Sequence, residues 1–498
     1  MQLNLTHICY TYPGAVAPAL SDASATFPSG WTGIIGDNGC GKSTLARIAA
    51  RVIEPDSGTV GPKLFSAYCQ QDSTQAPENL FDLASDWGQE AQRAKTLLRI
   101  EDDWFWRYET LSGGQQKRIQ IACALCARPD VLVMDEPTND LDAATRDIVK
   151  EALASFEGIG ILISHDRNLL DSLVSQSLLC EGARWIMRPG GYSKASGQAA
   201  SERASAMRDR EKAAREAKRL KAEAQRRSEE AARQKGKRSK RDLAKGDSDA
   251  REKIGRAIVS GKDGVAGKLS SNMSDRLARA EAELSERFVE KRYDHAIGEF
   301  GEAARSSHVA HVEPTRLSVG DFSIEVPELW ISPTEHVVLT GANGTGKSLV
   351  VSSIIESIPD NIKAAYVLQE VGPDERERAL LLLRDLTQEQ KGCILSIVAR
   401  LNSDPDKLLD GSDLSPGELR KLMLAEQLVA NPNFLALDEP TNHLDVGSIE
   451  ALQRTLAGFP GAILLVTHDR RLADAVAQTE WRTEGAEDGY RLQREARI

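Results

Sequence analysis

Hydrophobic and polar positions along this chain follow one order of periods, and the chain runs through that order twice. Near residue 30 the apolar run WTGII leads into a glycine-rich turn and then into the helical spacing of TLARIAARVI. Further on, a serine-glycine turn at Ser112 opens an amphipathic helix that Pro129 ends. The run VLVMD that follows is apolar at every position but the last, as in a strand buried on both faces of a parallel sheet. About 300 residues later LSPGELRKLMLAEQLVANPNFLALDEP repeats the succession of LSGGQQKRIQIACALCARPDVLVMDEP. Ser112 stands 23 residues before Asp135 and Ser415 stands 23 before Asp438, while His165 and His468 each follow those aspartates by 30. Equal order at equal spacing implies an internal duplication. The fold class expected is α/β, with two similar units.

Between the copies the pattern changes. From Ser201 to Lys235 helix formers dominate with almost no large apolar residue, which predicts a helix polar on all sides. A glycine-rich interruption, Gly261 to Asn272, is followed by Met273, Leu277, Ala280, Leu284 and Phe288 at helical spacing, so a second helix can lean on the first. The expectation is a long α-helical hairpin with a basic, flexible end at Arg233 to Arg241. Three units result: 1–192, a charged helical linker over 193–305, and 306–498.

Charge changes the reading of that linker. The chain carries a net charge of −11, yet residues 201–260 hold 20 lysines and arginines against 11 acids, leaving −20 on the remainder. Solvated charge explains any such run; the alternative is contact with RNA phosphates, which gives affinity and salt dependence rather than sequence readout. No apolar run approaches the roughly 20 residues of a membrane helix, and MQLNLTHICYTYPG reads as a strand and loop rather than a signal peptide. Seven cysteines, an odd number scattered through apolar segments, point to a reducing, cytoplasmic setting. Cys123 and Cys126 have metal spacing, but no second such pair accompanies them, and small buried side chains are the simpler reading.

The candidate chemistry lies at the ends of the predicted strands. Gly36, Asp37, Asn38, Gly39, Cys40, Gly41, Lys42, Ser43 and Thr44 make a G-x-x-x-x-G-K-[ST] loop between a strand and a helix. Gly341, Ala342, Asn343, Gly344, Thr345, Gly346, Lys347 and Ser348 repeat it. Backbone N–H groups there can cradle phosphate, the lysine can reach β- and γ-phosphates, and the serine can hold magnesium. Gln70 and Gln369 end short strands, positions suited to sensing magnesium and an attacking water. Asp135 and Asp438 are placed to hold magnesium, and Glu136 and Glu439 to orient or deprotonate water. The Ser112 turn explains itself as a helix cap, or as a second phosphate contact.

Taken together, the phosphate loop, glutamine, LSGGQ, MDEP and SHD resemble the ATP-binding cassette ATPases over about four fifths of the chain. The resemblance implies two cassettes, each an α/β core with a helical subdomain, packed head to tail within a monomer. Ser112 and Gly114 would then complete the site on Lys347, and Ser415 and Gly417 the site on Lys42. His165 and His468 would contact the γ-phosphate, and Tyr10 or Tyr12 would stack on adenine, with Phe322 a weak counterpart in the second copy. TNDLD and TNHLD, the charged spacer and the absence of a membrane segment are similar to the ABC-F branch. That branch implies ATP and Mg2+ as ligands and the ribosome as partner, through ribosomal and transfer RNA. Elongation control and antibiotic resistance by ribosome protection both fit. The alternatives are an ATPase subunit of a transporter with separate membrane chains and a DNA-repair or chromosome ATPase. Pro416 departs from the pattern: it removes one N–H donor and stiffens the turn.

Overall fold

The computed structural model describes residues 1–182, 184–236, 263–286, 300–320, 322–367, 386–403, 405, 415–486 and 489–496. They fall into two compact units, one of Met1–Ala195 with Arg292–Ile498 and one of Ser196–Lys291.

In the first half, β1 (Gln2–Tyr10) and β2 (Leu20–Pro28) pair in an antiparallel sheet. After β3 (Gly30–Ile35) and helix α1 (Lys42–Ala49) the chain returns to that sheet as β4 (Ser57–Gly61), giving the order β2-β1-β4. β3 itself lies in a six-stranded sheet with β5 (Ser66–Cys69), β6 (Val131–Asp135), β7 (Ile159–Ile163), β8 (Gln176–Glu181) and β9 (Arg184–Pro189), ordered β5-β6-β7-β3-β8-β9. Every pair is parallel except β8 with β9. β6 and β7 are buried at each position, as their unbroken apolar runs require. Strand order reverses beside β3, and at such a switch point a crevice opens beyond the carboxyl ends of the strands. Between β5 and β6 stand α2 (Leu80–Ser85), α3 (Gln89–Leu97), two short 3-10 turns and α4 (Gly113–Cys126).

The second half opens with a ribbon of β10 (Ala310–Val312) and a later strand, Leu329–Ile331. Its main sheet has eight strands, and its centre repeats the first sheet. Ala364–Val367, Phe434–Asp438, Ala462–Val466, His336–Thr340, Thr479–Ala486 and Gly489–Ala496 stand in that order. They correspond to β5, β6, β7, β3, β8 and β9 in turn. Helices Gln388–Arg400 and Pro416–Val429 occupy the place of the helical segment.

The second unit departs from the sequence expectation twice. Helix α5 (Tyr192–Gly236) is not polar on all sides: Ala217 and Leu220 are buried, and Ala213 and Ala224 extend the same narrow seam half-buried. Alanine covers surface without marking a sequence as apolar, so a seam of this kind leaves little hydrophobic signal. Nor does Gly261 to Asn272 interrupt the linker as a whole, because a helix spans Asp263–Glu286 and contains Gly264 and Gly267. Its buried Met273 and half-buried Leu277, Ala280 and Leu284 form the stripe seen in the sequence; Phe288 lies outside the described residues. Much of the charge on α5 pairs within the helix, as in Arg219 with Glu216 at 2.8 Å and Arg227 with Glu223 at 2.8 Å. The part of the basic run beyond Gly236 is outside the described residues.

Gly160 in β7 lies against the ring of Trp31, whose Nε1 donates to the Leu153 carbonyl at 3.0 Å. A methyl group at that position has no room without displacing the indole. Gly160→Ala is therefore expected to destabilise the fold by roughly 1–3 kcal/mol, seen as a urea transition shifted to lower concentration.

Candidate nucleotide sites

A loop leaves β3 at Gly36 and enters α1, and a second leaves His336–Thr340 at Gly341 and enters the helix Lys347–Glu356. Gly41 (φ 95°) and Gly346 (φ 86°) precede those helices in the left-handed region, where an L side chain is strained. The turn leaves the helix N–H groups facing the space in front of it, a ready anion site. Lys42 Nζ donates to the carbonyls of Gly36 (2.9 Å) and Asp37 (3.0 Å), and Lys347 Nζ to those of Gly341 (3.0 Å) and Ala342 (2.9 Å). Each ammonium is thereby held against its own loop.

Parallel register brings the acids to these loops. Asp135 pairs with Ile163 across β6 and β7, and the Glu136 N–H donates to the Ile163 carbonyl at 2.9 Å. In the second half Asp438 pairs with Val466, and the Glu439 N–H donates to the Val466 carbonyl at 2.9 Å. Two residues beyond those partners, the His165 and His468 N–H groups donate to Glu136 Oε2 (3.1 Å) and Glu439 Oε2 (3.3 Å). Both glutamates hold left-handed backbone, φ 48° and 45°, a conformation that non-glycine residues keep only when their surroundings enforce it.

The remaining carboxylate oxygens, Oε1 of Glu136 and of Glu439, are buried without a hydrogen-bond partner, as is His165 Nδ1. His165 Nε2 lies 3.2 Å from Glu136 Oε1, and His468 Nε2 lies 3.5 Å from Glu439 Oε1. His468 Nε2 also meets Asn343 Oδ1 at 3.1 Å. Burial, followed by the charge of Asp135, pushes Glu136 up to about 8, and burial pushes Glu439 up to about 7. Burial pulls both imidazoles down to about 3, helped by Lys42 at His165 and by Lys347 at His468. Near neutral pH the histidines are therefore uncharged and the glutamates titrate.

The donors suited to magnesium are hydroxyl and carboxylate, hard oxygen ligands of the kind that ion takes. The Ser348 hydroxyl hydrogen-bonds to Asp438. Asp135 Oδ2 accepts from the Tyr68 hydroxyl at 2.7 Å and shares a cavity of about 740 Å³ with Ser43 and Gln70. Buried Lys117 positions the glutamine segment by donating to the carbonyls of Gln70 (2.9 Å) and Gln71 (2.8 Å). Gln369 lies outside the described residues.

Neither lysine site is built by one half alone. A cavity of about 710 Å³ around Lys42 is lined by Tyr12, Asn38, Ser43, Thr44, Asp135, Glu136 and His165 from the first half, and by Ser415, Gly417, Glu418 and His443 from the second. Gly417 sits at the crossing, where a β-carbon would come within 2.5 Å of the His443 carbonyl and 3.2 Å of Asn38 Nδ2. A cavity of about 470 Å³ around Lys347 is lined by Phe322, Ser348, Asp438, Glu439 and His468 of the second half and by Asp140 and Arg146 of the first. Ser112 and Gly114 do not line it. Tyr12, in the first cavity, bonds through its hydroxyl to Thr44 Oγ1 at 3.0 Å, with Tyr10 packed edge-on against it at 5.0 Å.

Both signature serines are caps. Ser112 Oγ accepts from the Gln115 N–H (3.4 Å) and Ser415 Oγ from the Glu418 N–H (3.3 Å), with the longer side chain reaching back in each case. Pro416 takes the first helical position, where no helical partner awaits an N–H. Its departure from the pattern thus leaves the helix intact and removes one backbone N–H from the turn.

Sequence reasoning passed over Asp140, His443 and Arg146. Asn38 Nδ2 donates to the His443 carbonyl at 2.8 Å, and Asn343 Nδ2 to the Asp140 carbonyl at 3.0 Å, so each phosphate loop is tied to the opposite half. Arg146 Nη1 donates to the His468 carbonyl at 3.2 Å. Asp140 (φ 57°) and His443 (φ 62°) share the left-handed conformation. The signal available was the repeated T-N-x-L-D, whose variable position these two residues fill.

A family described as ABC transporter matches residues 20–139 and 325–442, spans that hold both phosphate loops and both acid pairs. The tylosin resistance ATP-binding protein TlrC of Streptomyces fradiae is 29% identical over 542 residues, covering 95% of this chain and 95% of that protein. The energy-dependent translational throttle protein EttA of Escherichia coli (strain K12) is 27% identical over 526 residues, covering 91% of this chain and 86% of that protein. The chain carries two copies of the ATP-binding cassette domain, and the curated relatives it matches over most of its length are ABC-F proteins. Its fold is shared by a solved archaeal ribosome recycling factor in complex with a ribosomal stalk protein. That match has a TM-score of 0.61 at 18% identity and covers 98% of this chain and 89% of that one. It carries both cassettes on one chain, and no helix among its described residues is long and apolar enough to cross a membrane.

The raised glutamates make the cassettes' stability depend on pH. Each carboxyl takes up a proton on folding, so stability is lost as pH rises from the ordinary 4.5 through about 7 to 8. Glutamine does not titrate. Glu136→Gln/Glu439→Gln without nucleotide is expected to exceed the wild type in stability at pH 8.5 by on the order of 1 kcal/mol or more. The difference should vanish near pH 4.5, as urea unfolding at the two pH values will read.

Proposed function

We propose that this protein hydrolyses ATP at both composite sites and spends that cycle on the ribosome, regulating elongation or protecting the ribosome from an antibiotic. The observation that carries this reading is the dependence of each phosphate loop on the other cassette, through Asn38 with His443 and Asn343 with Asp140. A nucleotide held between Lys42 and Gly417 would join the cassettes, and its hydrolysis would release them.

In this reading Lys42, Lys347 and the loop N–H groups hold the phosphates, while Tyr12 and Phe322 border the base. Ser43, Asp135 and Gln70 would hold magnesium in one site, and Ser348, Asp438 and Gln369 in the other. That ion supplies positive charge against the phosphates. Glu136 and Glu439 orient the attacking water through the partnerless Oε1 and accept its proton. The uncharged His165 and His468 offer a ring N–H towards the γ-phosphate. Support for the ribosome as target comes from the basic linker and from relatives named for tylosin resistance and for an energy-dependent throttle on translation.

Replacing both glutamates by glutamine is expected to lower ATP turnover about 100-fold or more while nucleotide stays bound. Turnover by the wild type should rise between about pH 6 and 8, as the base ionises, and the residual rate of the variant should be flat across that range. A steady-state pH profile of both proteins checks this.

The double variant should pellet with purified ribosomes when ATP is present, less so as salt rises, and not when the basic residues between Arg233 and Arg241 are neutralised. Absence from the pellet with ATP demonstrably bound would refute the ribosomal reading and direct attention to membrane fractions.

A further inference from the structure

Cys40 stands inside the first phosphate loop, and the nucleotide chemistry makes no use of its thiol. Cys180, near the end of β8, stands across from it. The point where a β-carbon on Gly36 would sit is 2.7 Å from Cys40 Sγ and 2.7 Å from Cys180 Cβ, so the two side chains meet over that glycine. Cys180 Sγ is 3.8 Å from the Cys40 carbonyl oxygen. Both cysteines are free; Cys180 is buried and Cys40 half-buried.

The second cassette shows what the pair replaces. Thr345 fills the place of Cys40 between Gly344 and Gly346. Thr483 fills the place of Cys180, since Leu179 pairs with Ile35 as Arg482 pairs with Thr340. The two threonine hydroxyls meet at 2.5 Å. The duplication thus keeps a matched polar pair linking phosphate loop to strand, as hydroxyls in one cassette and as thiols in the other. A hydrogen bond with Cys180 holds the Cys40 thiol below the usual range, while Cys180 is raised by the same bond. One thiol is thereby favoured as the attacking thiolate and the other as its resolving partner.

We propose that Cys40 and Cys180 are a reversible redox site through which a hydroperoxide shuts the first nucleotide site and leaves the second untouched. The Cys40 thiolate attacks a peroxide oxygen and the O–O bond breaks; the departing hydroxide takes up a proton as water, leaving a sulfenic acid. Cys180 sulfur then attacks the Cys40 sulfur, the S–O bond breaks, and hydroxide leaves with the Cys180 proton as a second water. Two thiols lose two electrons to one hydrogen peroxide, and a dithiol reductant reverses the change. A bond of about 2.05 Å draws Cys40 towards β8, and with it the loop N–H groups that must face phosphate. Thr345 and Thr483 have no such chemistry.

The effect on nucleotide rests on the reading of the loop as a phosphate site; the cross-link does not. Full-length protein would be compared reduced, treated with hydrogen peroxide, and restored with dithiothreitol. Non-reducing peptide mapping reads the bond, and titration with a fluorescent ATP analogue reads occupancy. Peroxide is expected to join the Cys40 and Cys180 peptides with loss of two hydrogens and to lower the stoichiometry from two nucleotides to one, both reversed by dithiothreitol. Cys180→Ser should bind two nucleotides before and after peroxide. Cys180→Thr, matching the second cassette, serves the same purpose if the serine variant folds poorly. Peroxide treatment that consumes thiols without joining these two peptides would overturn the redox site, and a cross-link with stoichiometry still at two would overturn its control of nucleotide. Reduced protein binding only one nucleotide would count against the nucleotide reading of a site, whatever the peptide map shows.

Discussion

Each phosphate loop in this protein ends its hydrogen bonding in the other cassette. An asparagine at the tip of the loop donates to a backbone carbonyl of the opposite half, Asn38 to His443 and Asn343 to Asp140. Asn442 Nδ2 adds a bond to Asp140 Oδ1 at 2.9 Å between the two contributing loops. Each accepting carbonyl belongs to a residue in left-handed backbone that lies outside helix and strand. The arrangement makes the two halves one compact unit and divides the cavities at Lys42 and Lys347 between them. A ligand that fills a divided cavity acts on the separation of the halves as well as on its own site, which is the physical basis of coupling binding to motion.

The glutamates are the second constraint, and they are held by backbone. Parallel register puts the N–H of each on the last carbonyl of the neighbouring strand, and the left-handed φ then turns the side chain towards the loop lysine's cavity. The histidine two residues beyond that carbonyl closes the arrangement by donating its own N–H to the carboxylate. Burial without compensation for Oε1 is unfavourable to the ionised acid, which is why both carboxyls titrate near neutrality rather than near 4.5. A group with that titration is a more effective proton acceptor than an exposed glutamate, and its destabilisation is tolerated only because packing and register on every side leave it nowhere else to go.

How much of this was legible in the sequence depended on the range of the interaction. The strands and the loops after them are written in contiguous residues, since an unbroken apolar run such as VLVMD and a glycine at φ 95° each leave a local signature. The partners of those loops are about 200 to 400 residues away, and Asp140 and His443 look like ordinary turn residues until the halves are apposed. Helix Asp263–Glu286 was obscured because each glycine in a helix costs about 1 kcal/mol relative to alanine, and Gly264 and Gly267 made the segment look like a break. The α5 seam was obscured for the opposite reason: three of its residues are alanine, which raises helix propensity without adding to an apolar stripe.

Duplication does not make the two sites equivalent. The cavity at Lys42 meets a signature turn with Pro416 in place of a glycine and Glu418 in place of Gln115. Glu418 Oε2 is engaged by the Ser415 N–H at 2.9 Å and hydroxyl at 2.7 Å, so a carboxylate is held in the wall that would face a polyphosphate, and one backbone donor is missing beside it. The cavity at Lys347 instead receives Arg146, whose guanidinium also lowers the ionisation cost of Glu439. Like charge opposes closure of the first site on an anion, whereas at the second the carboxylate of Asp140 is offset by the guanidinium of Arg146. The two cassettes therefore differ in how tightly an identical ligand can draw them together. A control acting on the first loop alone would act where closure is already the harder of the two.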